Sequence, residues 1–287
     1  MSLSFATGTV LPILVITIMF GLGLGLTRVD FARVFYSPKP VLIGLLCQSL
    51  ILPAVAFLLC YLARLDSALA IGFILLAASP GGPSANFFSH LAKGDVALNL
   101  TLTAVNSVTG MFILPALVYL ACVLFLDDGV AIGIQTKKLI EVLFLVCVPT
   151  VIGMLVRHRA PELALKLAKP VKLLSIFALL FVVVLTFVAE REMIAKSYSM
   201  VGLAVIVFNL ASLSIGYYLP RMLQLPERQA IAIAFETGVH NSSLAIYVAI
   251  QVLGQTEYAL PALAYSLSMY LMAGLFLMFL RRSTSTT

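Results

Sequence analysis

Apolar runs of about twenty residues follow one another along almost the whole chain, and about twenty apolar residues are what a helix needs to cross the hydrocarbon core of a bilayer. Nine can be placed, near 8–26, 40–62, 68–90, 96–126, 138–156, 171–189, 199–219, 229–253 and 258–280. In lipid every backbone amide must find its partner inside the protein, so runs of this length read as helices. The expected fold is an all-α polytopic membrane protein with nine transmembrane helices. Composition enters as a check: 62% hydrophobic residues, 10% charged ones and no tryptophan leave 287 residues too little polar surface for a soluble domain.

An odd number of spans puts the termini on opposite sides, and basic loops choose the sides. With the N-terminus outside, the inner loops hold Arg28, Arg33, Lys39, Lys93, Arg157, Arg159, Lys166, Lys169, Lys172, Arg221, Arg228, Arg281 and Arg282, 13 of the 18 basic residues. The outer loops hold the other 5, Arg64, Lys137, Lys138, Arg191 and Lys196, with Asp127 and Asp128 beside them. The expectation is N-terminus outside and C-terminus cytoplasmic. No cleaved signal peptide is expected, since Met1 to Gly8 carries no Lys or Arg. The net charge of +6 is scattered singly between apolar runs, so it reports topology and offers no nucleic-acid face. Cys47, Cys60, Cys122 and Cys147 lie in apolar runs without C-x-x-C spacing and read as small buried hydrophobes. Gly21 and Gly25 have small-xxx-small spacing and read as a helix-packing face. The stretch from Thr27 to Pro40, with Arg28, Asp30, Phe31, Arg33 and Phe35, reads as an amphipathic piece at the inner interface.

Two spans are interrupted by polar residues. The eighth carries Glu236, Thr237, Gly238, His240, Asn241, Ser242 and Ser243 at its centre. An ionised group at the midplane costs about 3 kcal/mol, so Glu236 implies a compensating cation; a protonated carboxyl bonded between helices is the plainer alternative. The third span breaks at Ser79-Pro-Gly-Gly-Pro-Ser-Ala-Asn86, where Pro80 and Pro83 lack the amide hydrogen of a continuous helix. A helix restarting near Ser84 would point free N–H groups into the gap, a place for an anionic group. The two interrupted spans are five apart, so they cross in opposite directions, as in an inverted repeat, and such paired breaks point to a transporter's binding site.

Ser79-Pro-Gly-Gly-Pro-Ser-Ala-Asn86, Ala92-Lys-Gly-Asp-Val-Ala-Leu98 and Phe235-Glu-Thr-Gly-Val-His-Asn-Ser-Ser243 resemble the signature segments of the bile acid:sodium symporter family. The resemblance implies two crossed discontinuous helices in a core domain, a separate panel domain, and sodium-driven uptake of an organic anion, bile-acid-like or a small carboxylate, by alternating access. It implies a nine-helix form lacking the first of ten, in a bacterial inner (plasma) membrane. On that plan residues 1–39 hold panel helix 1 and the inner interfacial segment, 40–126 the first core repeat, 127–197 panel helices 5 and 6, and 198–287 the second core repeat. A first sodium site would take Ser84, Asn86, Asn99, Thr103 and Glu236, with Ala85 standing where the family has a serine. A second would take Gln48, Glu236, Thr237, Val239 and His240. There the imidazole replaces an amide oxygen and suits a hard cation poorly, so one sodium, or a proton shared by His240 and Glu236, are both open. Pro83, Ser84, Asn86, His240, Asn241 and Ser242 would line the substrate site. For Asn86 and Asn241 helix capping is the alternative role.

Other classes fit less well. The chain has no H-E-x-x-H, no G-x-S-x-G and no intramembrane Asp pair, so catalysis is not expected. One Glu is a poor ring for a channel. A proton-coupled or sodium-independent anion transporter, or a membrane sensor that binds without transporting, stays open.

Overall fold

The computed structural model describes residues 11–25, 27–126, 136–168, 170, 171, 173, 174, 177 and 191–284. The expected sixth span lies almost wholly outside these residues, as do Asp127 and Asp128. Secondary structure among them is helical apart from one isolated bridge. In order come α1 (Leu11–Gly25), α2 (Arg28–Tyr36), α3 (Pro38–Leu62), α4 (Ser67–Ala78), α5 (Pro83–Leu91), α6 (Val96–Phe125), α7 (Thr136–Arg159), α8 (Arg191–Met222), α9 (Glu227–Gly238), α10 (Ser242–Tyr247) and α11 (Leu260–Thr284).

Three apolar stretches among the described residues are long enough to cross a bilayer unaided: Pro38–Leu62, Ser199–Met222 and Glu257–Arg281. Helix α6 makes a fourth if its halves, bent by 54° between Gly110 and Phe112, are one span. Pro115 accounts for the bend, because its ring displaces the carbonyl four residues earlier, at Met111. The outward residues of α3, Leu42, Leu46, Leu50, Leu58 and Leu62, are exposed at helical spacing, and Phe112, Leu120 and Val123 do the same on α6. Such stripes belong against lipid tails.

Two hairpins repeat one plan. Helices α3 and α8 each end in a turn held by a left-handed residue, Arg64 (φ 49°) and Gln224 (φ 62°). A half-helix of 12 residues follows in each, α4 and α9, then a break, then a short helix, α5 or α10. Asp66 caps α4 by accepting from the Leu69 amide at 3.1 Å. From Leu69 to Ala78 and from Ala230 to Gly238 every residue is buried, so these halves form the centre of the molecule. Helix α8 packs on α9 and α11, and α6 packs on α4.

Helix α1 packs along α7, and the close contact is at Gly23: a Cβ there would fall 2.1 Å from the Thr150 carbonyl oxygen, while one on Gly153 would fall 2.5 Å from that of Phe20. The packing face expected of Gly21 and Gly25 is thus corrected, for Gly25 has nothing within 4 Å and Gly21 meets only the tip of Val171. The amphipathic stretch is helix α2, with Phe35 and Tyr36 exposed and Arg33 bonded to Asp95, the N-cap of α6, at 3.4 Å.

Candidate cation and anion site

The site is made by the two breaks. Ser79–Gly82 and Val239–Asn241 have left the helix and are buried in the centre of the molecule, and they bond each other. The Gly82 amide donates to the Val239 carbonyl at 3.2 Å, and the Asn241 amide donates to the Pro80 carbonyl at 2.9 Å, an antiparallel bridge centred on Gly81 and His240. Other carbonyls beside the breaks take side chains. Gln48 Nε2 donates to Ala77 and Ser79, His240 Nδ1 to Ser79 at 2.9 Å, and Asn209 Nδ2 and the Tyr265 hydroxyl to Gly238. Pro80 and the two glycines break the first helix over four residues, and it restarts at Pro83, one residue before the restart expected near Ser84.

Glu236, 0% exposed, ends α9 beside this crossing. Its carboxylate accepts from Thr103 Oγ1 at 2.6 Å, from Asn106 Nδ2 at 3.1 Å and from the Gly81 amide. All three donors are neutral. Gly81 is required by distance: a Cβ there would sit 2.5 Å from Glu236 Cδ.

Around the carboxylate the amides share one orientation. Asn86 Nδ2 donates to Thr103 Oγ1 at 3.4 Å, Asn99 Nδ2 to the Ala232 carbonyl at 2.6 Å, Asn106 Nδ2 to Glu236, and Gln48 Nε2 to two carbonyls. Each acceptor fixes which end of the amide is nitrogen. The other ends, Asn86 Oδ1, Asn99 Oδ1, Asn106 Oδ1 and Gln48 Oε1, are buried without a hydrogen-bond partner. An unsatisfied buried polar atom costs on the order of 1–3 kcal/mol, so the three on Asn86, Asn99 and Asn106, residues bonded to Glu236 or to its partner Thr103, call for a bound donor or a cation. Oxygen donors alone suit a hard ion such as sodium. Among the described residues no three of His, Cys, Asp and Glu group together, which leaves no transition-metal set there.

The structure therefore brings Asn86, Asn99, Thr103 and Glu236 into one cluster. Ser84 turns aside, its hydroxyl 3.3 Å from that of Tyr270. Of the second expected set, Gln48 and His240 meet at the Ser79 carbonyl, and the Val239 carbonyl accepts from the Gly82 amide, next to the Gly81 amide that reaches Glu236. Thr237 Oγ1 donates within α9 to Ile233 at 2.9 Å and lies against Ser212 of α8. His240 donates from Nδ1 and stacks on Phe208 at 5.7 Å between centroids, with Nε2 buried and unpartnered.

Of the residues expected at the substrate, Pro83 opens α5, its side chain outside the described ones, and Asn241 caps α10 by accepting from the Leu244 amide at 3.2 Å. Asn86 lies inside α5 and caps nothing. Ser242 donates to Met269 Sδ at 3.8 Å. Tyr265 and Tyr270 read from the sequence as facing either the core or an interfacial belt, and Tyr265 is fully buried, bonded to Gly238. Asn106 and Asn209 were not singled out; Asn106 alone had a sequence signal, continuing the helical spacing of Asn99 and Thr103.

The profile of the Sodium Bile acid symporter family matches residues 12–197. The human P3 protein is 33% identical over 212 residues, 73% of this chain and 44% of its own length. A sodium-dependent transporter of Bacillus subtilis, itself uncharacterised, is 29% identical over 227 residues, 79% of this chain and 69% of its own. The human ileal sodium/bile acid cotransporter is 26% identical over 244 residues, 84% of this chain and 69% of its own. The chain thus spans under half the length of the first of these relatives.

Proposed function

The chain belongs to the sodium bile acid symporter family, membrane transporters and not enzymes, and from that premise we propose that it carries a small organic anion across the bilayer with one sodium ion, by alternating access. The observation that carries the reading is Glu236, buried at the crossing of the broken helices beside amide oxygens without donors. Asn86 Oδ1, Asn99 Oδ1, Thr103 and Glu236 would hold the sodium.

Coupling then follows from charge. An ionised Glu236 repels a second anion; with sodium bound the cluster is neutral and the anion enters, and by linkage the anion raises the affinity for sodium by the same factor. The anion would lie where α5 and α10 begin, near Pro83, Ser84, Asn86, His240, Asn241 and Ser242, at the positive ends of two helices. In this reading the chain has nine spans. The two matching hairpins are an inverted repeat within a core of residues 40–126 and 198–287, and α1 and α7 belong to the panel that moves against it.

Uptake of a set of organic anions, steroid conjugates and small carboxylates, into proteoliposomes under a sodium gradient tests the proposal. Sodium-driven accumulation is expected in the wild type. It should fall at least about tenfold in Glu236→Gln with helicity retained, since hydrogen bonds and contacts to a charged group are worth roughly 1.5–3 kcal/mol. Undiminished sodium-driven uptake in that variant, or uptake driven by a proton gradient and not by sodium, overturns the assignment.

A further inference from the structure

A symporter that has released its cargo must reorient empty, and in this chain that means moving Glu236 with no cation beside it. Its carboxylate is 0% exposed and is bonded by three neutral donors: Thr103 Oγ1 on Oε2 at 2.6 Å, Asn106 Nδ2 on Oε1 at 3.1 Å, and the Gly81 amide. The Asn106 NH2 and the Gly81 N–H can only donate, so they suit a carboxylate and offer nothing to the O–H of a carboxyl. A buried charge that loses one partner and gains none is strongly destabilising, so an empty carrier needs partners of its own for Glu236.

Asn106 differs from the other two donors. Thr103 belongs to the set assigned to sodium, and its hydroxyl has a second acceptor within reach, the Asn99 carbonyl at 3.0 Å. The Gly81 amide is fixed by the main-chain bridge between the two breaks. Asn106, 2% exposed and three residues beyond Thr103 on α6, makes one side-chain hydrogen bond among the described residues, the one to Glu236, and its Oδ1 is buried without a partner. An apolar side chain of the same shape would pack there without leaving an oxygen unsatisfied, so the worth of the amide lies in that one bond.

We propose that Asn106 is a positioning residue for the return of the empty carrier, a fixed dipole that stands in for the cation when Glu236 is bare. The proposal rests on the sodium-coupled reading above and extends it to the half-cycle that runs without sodium. A hydrogen bond to a full negative charge is stronger than one to a carboxylate already neutralised by a cation, so the Asn106 amide stabilises the empty carrier more than the loaded one. Two effects of opposite sense follow. The amide weakens sodium binding, because it stabilises the state that lacks the ion. It also speeds the return, because midway through, when neither side admits water to the carboxylate, only protein donors remain to hold the charge. A residue that ligated sodium would strengthen its binding instead.

The test uses the full chain carrying Asn106→Leu, which keeps the size of the side chain and removes the donor. Thermal unfolding in detergent, titrated with sodium chloride against choline chloride, reads binding without transport. Half-saturating sodium should fall about tenfold, with the melting temperature lowered in choline and brought back toward wild type by saturating sodium. In proteoliposomes, net uptake of a radiolabelled steroid conjugate or small carboxylate from the set above requires the empty return, whereas exchange of the same anion with saturating sodium on both sides does not. The ratio of net uptake to exchange should fall about tenfold. Asn106→Ala, whose gap admits a water, should move both readouts the same way by less, and decides the matter alone if Asn106→Leu does not fold. A raised half-saturation, which would make Asn106 a sodium ligand, an equal loss of melting temperature in sodium and in choline, or net uptake and exchange falling together overturns the proposal. A wild type that does not respond to sodium removes the sodium-coupled reading and this role with it. A wild type that responds, a silent Glu236→Gln and Asn106 variants that match wild type remove this role only.

Discussion

Glu236 is held by three neutral donors, and one of them, the Gly81 amide, comes from the other broken helix. Gly81→Ala would push a methyl carbon to 2.5 Å from Glu236 Cδ. Overpacking of this kind costs roughly 1–3 kcal/mol, so the variant should melt several degrees lower and lose most of its stabilisation by sodium, as read by thermal unfolding in sodium against choline chloride. At this scale the sequence was informative where a polar side chain stood in an apolar run: Glu236, and the Asn99 and Thr103 pair one turn apart. It was uninformative for Asn209, whose acceptor, the Gly238 carbonyl, is free only because α9 ends there, far along the sequence. Ser84 misled for the converse reason, since a hydroxyl beside a ligand position carries no sign of where it points, and here it reaches Tyr270.

Helices were legible by their apolar length and breaks by their punctuation. Pro80, Gly81 and Gly82 announce the first break, while the second has no proline and shows only as a run of polar residues. The bend in α6 and the π-turn in α3 went unread, because a proline in a long apolar run does not say how far the chain turns. Packing of α1 on α7 shows the limit of spacing rules. Gly21 and Gly25 fit the pattern, but Gly23 makes the contact, 2.1 Å from the Thr150 carbonyl oxygen once a Cβ is added. Gly23→Ala should therefore force the two helices apart and lower the melting temperature, whereas Gly25→Ala, with open space around it, should melt with the wild type. Parallel thermal melts in one detergent distinguish the two.

At the scale of the whole molecule, α4 and α9, 12 residues each, are about 18 Å long, too short to cross a bilayer alone. In the nine-span reading proposed above, each crosses together with the short helix after its break. Hydropathy saw each broken pair as one run and so expected nine spans. Loop charge expects the C-terminus inside: a fluorescent reporter fused after Thr287 should fluoresce, and alkaline phosphatase at the same place should be inactive. The reverse outcome would invert every loop assignment. The bridge between Gly81 and His240 sets what the two hairpins can do next. Its bonds join main chain to main chain, so they act as a rivet that fixes how many residues each crossing strand may contain while leaving most of their identities free. A single-residue insertion on either side would throw the register out by one, and two hairpins pinned this way must travel as one body.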